Sequence, residues 1–417
     1  MDQLLQIVQG ILDMGATVIL PVMITLMGLF FRMKFRDALK AGLIVSIGFA
    51  GLNLVLNMLF EVINPAIEYY STMGSGFSVT DVPWPILGGA YWAAPFAALV
   101  VPVGVTLNLL LLRLTKLNVI NVDIWNYIHF LGAGTLAWAL FGSFWLGFLI
   151  SVALSVLSLY VAQMVTPKWQ EYFELEGTTC STLIFITWVW PFTWLINKII
   201  DYIPGLNKLD IKVKEGESRW SILGDPVFIG LLVGFLLAVL TKQTYTTVLS
   251  MMVGTAAVMF LMPRMVGVLM EGLSSIGAAV REYIQKRTEG EDVVIGMDVA
   301  IGLGDTCAIT SSILAMPIII GLAFVVPNVS FFPLGLLFAV PYFAVFTSMT
   351  AKGNLLRSLI SITILMIMSM VAGTVFQPEW NTMLVTAGAD VTGEVTASGF
   401  DPYSFVIIMV SRLLGGG

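Results

Sequence analysis

From residue 41 to residue 112 the chain contains no Lys and no Arg, and it is apolar for most of that length. A run this long without a cation cannot supply the outside of a water-soluble domain. Over the full 417 residues, 58% are hydrophobic and 11% charged, against about 25% charged in a soluble domain. The chain therefore reads as an all-α integral membrane protein. A helix that crosses a bilayer takes about 20 apolar residues, which leaves room for about 10–11 crossings or re-entrant hairpins. No stretch between them reaches the ~100 residues of a separate soluble domain, so 1–417 is one polytopic unit.

Basic residues place the loops. Arg32, Lys34, Arg36 and Lys40 follow the first apolar segment, 16–31; Arg113 and Lys116 follow 84–112; Lys168, Lys352 and Arg357 mark later turns. By the positive-inside rule these face the cytoplasm, while the cation-free stretches 64–83 and 377–403 lie outside. The start, MDQLLQIVQG, has no basic n-region, so the first span is expected to act as the insertion signal. The segment 201–219 is the longest charged loop and is read as the cytoplasmic hinge. The organisation expected is a first repeat over 16–198, a linker over 199–221, a second repeat over 222–376, and an extracellular loop with a C-terminal segment over 377–417. Within these, 248–262 and 265–287 read as separate helices divided at Pro263.

One polar stretch stands out against this background: VINVDIWNYIHF, Val119 to Phe130, with Asp123, two asparagines, Trp125, Tyr127 and His129, the sole histidine. A related stretch, VIGMDVAIGLGDT, begins 175 residues later at Val294 and ends at Thr306. Val119, Ile120 and Asp123 recur as Val294, Ile295 and Asp298. Polar residues between apolar segments are costly in hydrocarbon and mark a substrate path by default. Their duplication suggests a transporter built of two related, inverted repeats. Pro21 with Pro226 and Glu61 with Glu271 extend the likeness, and the two halves carry opposite charge bias after their first two spans. The spacings disagree by about 35 residues between the Glu and the motif.

Asp123, Asn126 and His129 fall at i, i+3 and i+6, roughly one face of a helix. A carboxylate, an amide and an imidazole there suit the hydroxyls of a polyol, with aromatics against its C–H face; a plain helix cap by Asn121 or Asp123 explains the same residues. Asp305 and Thr306, after Gly302 and Gly304, read as substrate-facing or as a cap for the helix that follows. Glu174 and Glu176 open an apolar segment, and at least one is expected to be buried. Asp225 before Pro226 is a helix start or a ligand contact. The candidate substrate-binding set is thus Asp123, Asn126, His129, Glu174, Glu176, Asp225, Asp298, Asp305 and Thr306. One histidine and two cysteines give no metal-ligand spacing, and there is no phosphate-binding loop. No catalytic residue, metal, cofactor or nucleic-acid partner is expected, and Cys180 and Cys307 read as buried packing residues.

The segments NVDIWNYIH, FELEG, GDPV, AAVMFLMPR (256–264), GMDVAIGLGDT and GNLLRSLIS (353–361) together resemble the galactitol-type permeases, the enzyme IIC components of the bacterial phosphotransferase system, which are similar in fold to the ascorbate permeases. The resemblance covers nearly the whole chain. It implies a multi-pass protein of the bacterial inner membrane and a homodimer. It also implies a scaffold domain, a mobile core with re-entrant hairpins, and elevator-type access. A separate IIB protein, charged by IIA, would phosphorylate the carbohydrate inside. Two positions depart from the family pattern: Ser181-Thr182-Leu183 stands where Pro-His-Gly is usual, and Gly304-Asp305-Thr306 where Gly-His-Thr is usual. From the residues alone, an ion-coupled secondary transporter using Asp123, Asp298 and Asp305, or an intramembrane acid–base enzyme using the Asp123/Asp298 pair, stays open.

Overall fold

The computed structural model describes residues 16–73, 77–82, 84–123, 125–212, 226–285, 293–389, 391 and 393–415. Among them, six helices are long and apolar enough to cross a membrane, within Phe35–Tyr69, Ala97–Leu114, Phe144–Phe173, Tyr245–Val268, Thr306–Val325 and Leu355–Val375; Gly230–Leu240, Gly335–Thr350 and Pro402–Leu413 are shorter and apolar. These helices turn large apolar side chains outward: Ile47 is 64% and Leu54 69% exposed, and Leu249 and Val253 lie on a similar bare stripe. In water such stripes would aggregate; in a bilayer they face acyl chains. The reading of a helical membrane protein holds.

Two helical hairpins form one side. In the first, α1 (Ala16–Phe30) leads to α2 (Phe35–Met73); in the second, α8 (Pro226–Leu240) leads to α9 (Tyr245–Gln285). Each turns at a basic residue in the left-handed region, Arg32 (φ 65°) and Lys242 (φ 52°). Each turn is closed by the same pair of backbone bonds: Arg32 N–H to Leu29 and Met33 N–H to Gly28, then Lys242 N–H to Val239 and Gln243 N–H to Ala238. Helices α2 and α9 pack along each other, with Gly254 against Val62 and Gly51 against Met265. Missing side chains at these points let the two backbones approach, which is how helices associate where lipid offers no hydrophobic drive. Pro65 and Pro263 sit inside α2 and α9 without ending them, so the division expected at Pro263 is absent. A proline forfeits one backbone bond, and in a long packed helix its neighbours absorb that loss.

The remaining elements surround two small parallel sheets that the sequence did not suggest. In chain order these elements are β1 (Val79–Asp81), α3 (Trp84–Trp92), α4 (Ala97–Leu114), β2 (Val119–Asn121), α5 (Trp125–Phe141), α6 (Phe144–Phe173), β3 (Thr178–Cys180), α7 (Trp190–Asp201), then, beyond the second hairpin, β4 (Val294–Met297), α10 (Thr306–Val325), β5 (Phe331–Phe332), α11 (Leu334–Thr350), α12 (Leu355–Val375), α13 (Gln377–Thr386), β6 (Val395–Thr396) and α14 (Pro402–Leu413). The strand orders are β2-β4-β3 and β5-β1-β6. Each sheet takes its central strand from the opposite half of the chain. Val119 faces Val294 and Ile120 faces Ile295 across the ladder.

That register gives the likeness of the two motif segments a structural place. Their 175-residue offset is the spacing between partners in one ladder. Other pairs of elements lie at a larger interval: α2 and α9 begin at 35 and 245, 210 apart, and β2 and β5 begin at 119 and 331, 212 apart. Glu61 and Glu271 obey that larger interval, while Pro21 and Pro226, 205 apart, do not. The mismatch of about 35 residues is the difference between the two offsets.

Two further expectations change. The stretch 377–403 is not an open loop, since it holds α13 and β6, and Glu379 is buried beneath Arg412, whose Nε and Nη2 donate to its carboxylate at 2.6 and 2.9 Å. The linker is no free hinge over its described part. Asn354 donates to the Leu209 carbonyl at 2.8 Å, Leu355 N–H to Ile211, and Arg357 pairs with Asp201 at 2.7 Å. Residues 213–225, Asp225 among them, lie outside the described residues.

Candidate functional site

Because β2, β4 and β3 run parallel, all three end at one edge. Each then hands the chain to a helical start: α5 after β2, a 3₁₀ turn Val299–Gly304 after β4, and a π-helical turn Phe185–Val189 leading into α7 after β3. Three helix beginnings, each with N–H groups that lack intrahelical partners, therefore converge. The side chains just past the strands answer them. Asp123 accepts from Trp125 N–H at 2.9 Å and from Asp298 N–H at 3.2 Å. Asp298 accepts from Ala300 N–H at 2.8 Å, and Thr182 Oγ1 accepts from Val299 N–H at 2.8 Å.

Side chains complete the network. The Asn126 amide nitrogen donates to Asn121 Oδ1 and to Ser181 Oγ, both at 2.9 Å. Thr182 Oγ1 lies 2.8 Å from Asn126 Oδ1 and 3.1 Å from Asp298 Oδ2. One hydroxyl proton serves only one of those acceptors, and Asn126 Oδ1 has none to give. Both contacts are satisfied when Thr182 donates to Asn126 and a proton on Asp298 is donated back to Thr182. No side chain of the network can carry a positive charge. Asp123, Asn126, Ser181 and Thr182 are fully enclosed, and Asp298 and Asn121 nearly so.

The structure brings together Asp123, Asn126 and Asp298 from the expected set and separates the others. His129 does not share a face with Asp123, which precedes the helix; it lies four residues beyond Trp125 on α5, both are half-buried, and its ring meets Phe185 edge-on at 6.3 Å. Trp125 Nε1–H is buried and has no acceptor among the described residues. Tyr127 is enclosed, packed at Gly104 of α4 rather than open to a ligand. Asp305 stands at the far end of the 3₁₀ turn, capping α10 through Ala308 N–H at 2.8 Å and accepting from the Tyr172 hydroxyl at 3.2 Å; Thr306 begins α10 beside it. Gly302 is where it is for packing, since a Cβ there would strike Val345, Phe173 and Trp169. Glu174 and Glu176 are both exposed, which corrects the expectation that one is buried: they sit in the turn after α6, where Glu174 adopts the left-handed cap (φ 56°).

Sequence reasoning passed over Asn108, took Ser181 and Thr182 only as departures from a family pattern, and left Asp81 in an outer loop. Asp81 is enclosed at the second sheet, where it accepts from Leu336 N–H at 3.1 Å and from Ser398 N–H and Oγ at 2.9 and 2.6 Å. Asn108 had a readable signal, a lone amide in an apolar span.

These features define a polytopic helical carrier whose core is organised around polar strand ends buried among spanning helices. Comparison with known proteins agrees. The model of the PTS system sugar-specific permease component matches residues 10–397. A permease IIC component of Escherichia coli (strain K12) is 33% identical over 387 residues, 92% of this chain and 88% of that protein. The PTS system galactitol-specific EIIC component of the same strain is 31% identical over 414 residues, 97% of this chain and 90% of that protein, and its namesake from Escherichia coli O157:H7 gives the same figures. The chain belongs to the sugar-specific permease components of the phosphotransferase system. It is a multi-pass sugar permease of the bacterial inner membrane that works with IIA and IIB proteins.

Proposed function

We propose that the substrate is a polyol-like carbohydrate of the galactitol type, held at the strand-end cluster between β2, β3 and β4. The observation that carries this reading is the meeting of Asp123, Asn126, Thr182 and Asp298 at one edge, from three segments far apart in sequence. The innermost groups satisfy one another, so they serve as the frame. Contact with the sugar falls to the half-buried face of α5: the Trp125 indole, with an N–H to donate and a ring for the C–H face, and His129. Asp305 and Thr306 guard the next turn of the path.

Transport in this reading is elevator-like. The paired hairpins α1–α2 and α8–α9 are the scaffold, in a homodimer, and the elements around the two sheets move as the core, two inverted repeats exchanging their central strands. Substrate released inward is phosphorylated on IIB. The test is a screen of hexitols, pentitols and keto-sugars for uptake by cells supplied with the partner proteins. Uptake of a polyol that needs phosphoenolpyruvate and survives an uncoupler supports the reading. Uptake abolished by the uncoupler would replace it with ion coupling.

A further inference from the structure

We propose that Asn108 is a positioning residue for this site, its side-chain amide replacing a fourth strand at the open edge of β2. The proposal rests on the strand ends being the carbohydrate site. β2 lies at the edge of its sheet, so one side of its backbone has no strand to pair with, and in a membrane-enclosed core water does not supply the partners. The Asn108 Nδ2 donates to the Val119 carbonyl at 2.9 Å, and Asn121 N–H donates to Asn108 Oδ1 at 2.8 Å. In a parallel ladder, one residue bonds the carbonyl before its partner and the N–H after it. The Asn108 amide does this for Ile120. It is 97% enclosed, in the middle of α4, where an asparagine is costly without such a purpose. Asn53 is different, since its Nδ2 bonds the Phe49 carbonyl of its own helix.

What the clamp fixes is Asn121. With its N–H held outward, its Oδ1 points inward and accepts from Asp123 N–H at 3.3 Å, Asn126 Nδ2 at 2.9 Å and Ser181 Oγ at 3.1 Å. Beyond the clamp lies a cavity of about 270 Å³ lined by Asn108 and Asn121 and by Leu26, Phe30, Val105 and Leu109. Among the described residues none occupies that space, so β2 has room to shift outward once the amide is removed. The cluster would lose its register while Trp125 and His129 stayed chemically intact.

The experiment compares purified full-length wild type with Asn108→Leu, which removes both bonds at similar volume, and Asn108→Asp, which keeps only the acceptor. Asn53→Leu is the control. Amide exchange is followed across 119–123. Half-saturation of uptake is followed with galactitol, or with the carbohydrate found in the screen if galactitol is not taken up. The Asn121 N–H loses its one acceptor in Asn108→Leu, and a bond worth a factor of ten predicts exchange there about tenfold faster. Half-saturation should rise about as much, with a smaller change in maximal rate and an intermediate Asn108→Asp. Asn53→Leu should match wild type in both readouts. If Asn108→Leu does not accumulate, Asn108→Asp carries the comparison. Unchanged exchange would overturn the clamp. Faster exchange with unchanged half-saturation would overturn the positioning role, by removing the site from the strand ends.

Discussion

Asn126 uses both halves of its amide inside the core, the nitrogen toward Asn121 and Ser181 and the oxygen toward Thr182. Thr182 in turn joins Asn126, Asp298 and the Val299 N–H. Replacing Thr182 by Val keeps the shape but leaves these groups short of partners, at about 1–3 kcal/mol for each buried polar group left unpaired. Thr182→Val is therefore expected to lower the unfolding midpoint in detergent and to weaken uptake as well. At the rim the expectation differs. His129→Ala and Trp125→Phe remove groups on the half-buried face of α5 and should impair uptake while leaving the midpoint close to wild type. Asp305→Asn keeps the cap and the Tyr172 contact in shape, and should abolish uptake without loss of assembly. Normal uptake by Asp305→Asn would reduce Asp305 to a helix cap. At this scale the sequence disclosed which residues were costly in a membrane, Asp123, Asn126 and Asp298 among them. It did not disclose their partners. Ser181 and Thr182 are ordinary small residues on paper, and only the end of β3 gives them a role.

At the scale of elements, the spanning helices were legible because length and hydropathy alone determine them. The expected 16–31 is close to α1, Ala16–Phe30, and Gly142, at φ 64°, lies where α5 passes to α6. The strands were illegible because each is two to four residues long, too short for a period, and each is stabilised by a partner from the other half. Proline misled at Pro263 for a related reason: tertiary packing outweighs one lost backbone bond. The C-terminal helix offers a test at this scale. Arg412 reaches from α14 to enclosed Glu379 on α13 and also to the Val375 carbonyl at 2.8 Å. Arg412→Leu leaves a carboxylate without its cation and, with Arg412 itself 37% exposed, is expected to cost about 1–2 kcal/mol. Thermal unfolding should detect that loss, and Glu379→Gln combined with Arg412→Leu should recover part of it. Wild-type stability in Arg412→Leu would mean the pair contributes nothing.

For the whole molecule, the exchange of central strands matters most. β4 lies between β2 and β3, and β1 between β5 and β6. Neither half can close its own sheet, so the halves are interdependent although each has its own helical hairpin. Expressed separately, 1–221 and 222–417 should each fail to accumulate, and expressed together they should restore uptake; stable accumulation of one half alone would contradict the exchange. In the proposed elevator reading, the carbohydrate sits where these three segments meet, and a core moving against α2 and α9 carries the whole cluster as a unit.

The central claim, that the strand ends and the first turn of α5 hold the carbohydrate, is tested most directly by equilibrium binding. The transported polyol should be titrated into purified wild type, Trp125→Phe and His129→Ala. The account predicts saturable binding to wild type and a loss of about tenfold in each variant, the worth of one hydrogen bond to a ligand hydroxyl. Wild-type affinity in both variants, with the fold intact, would contradict it.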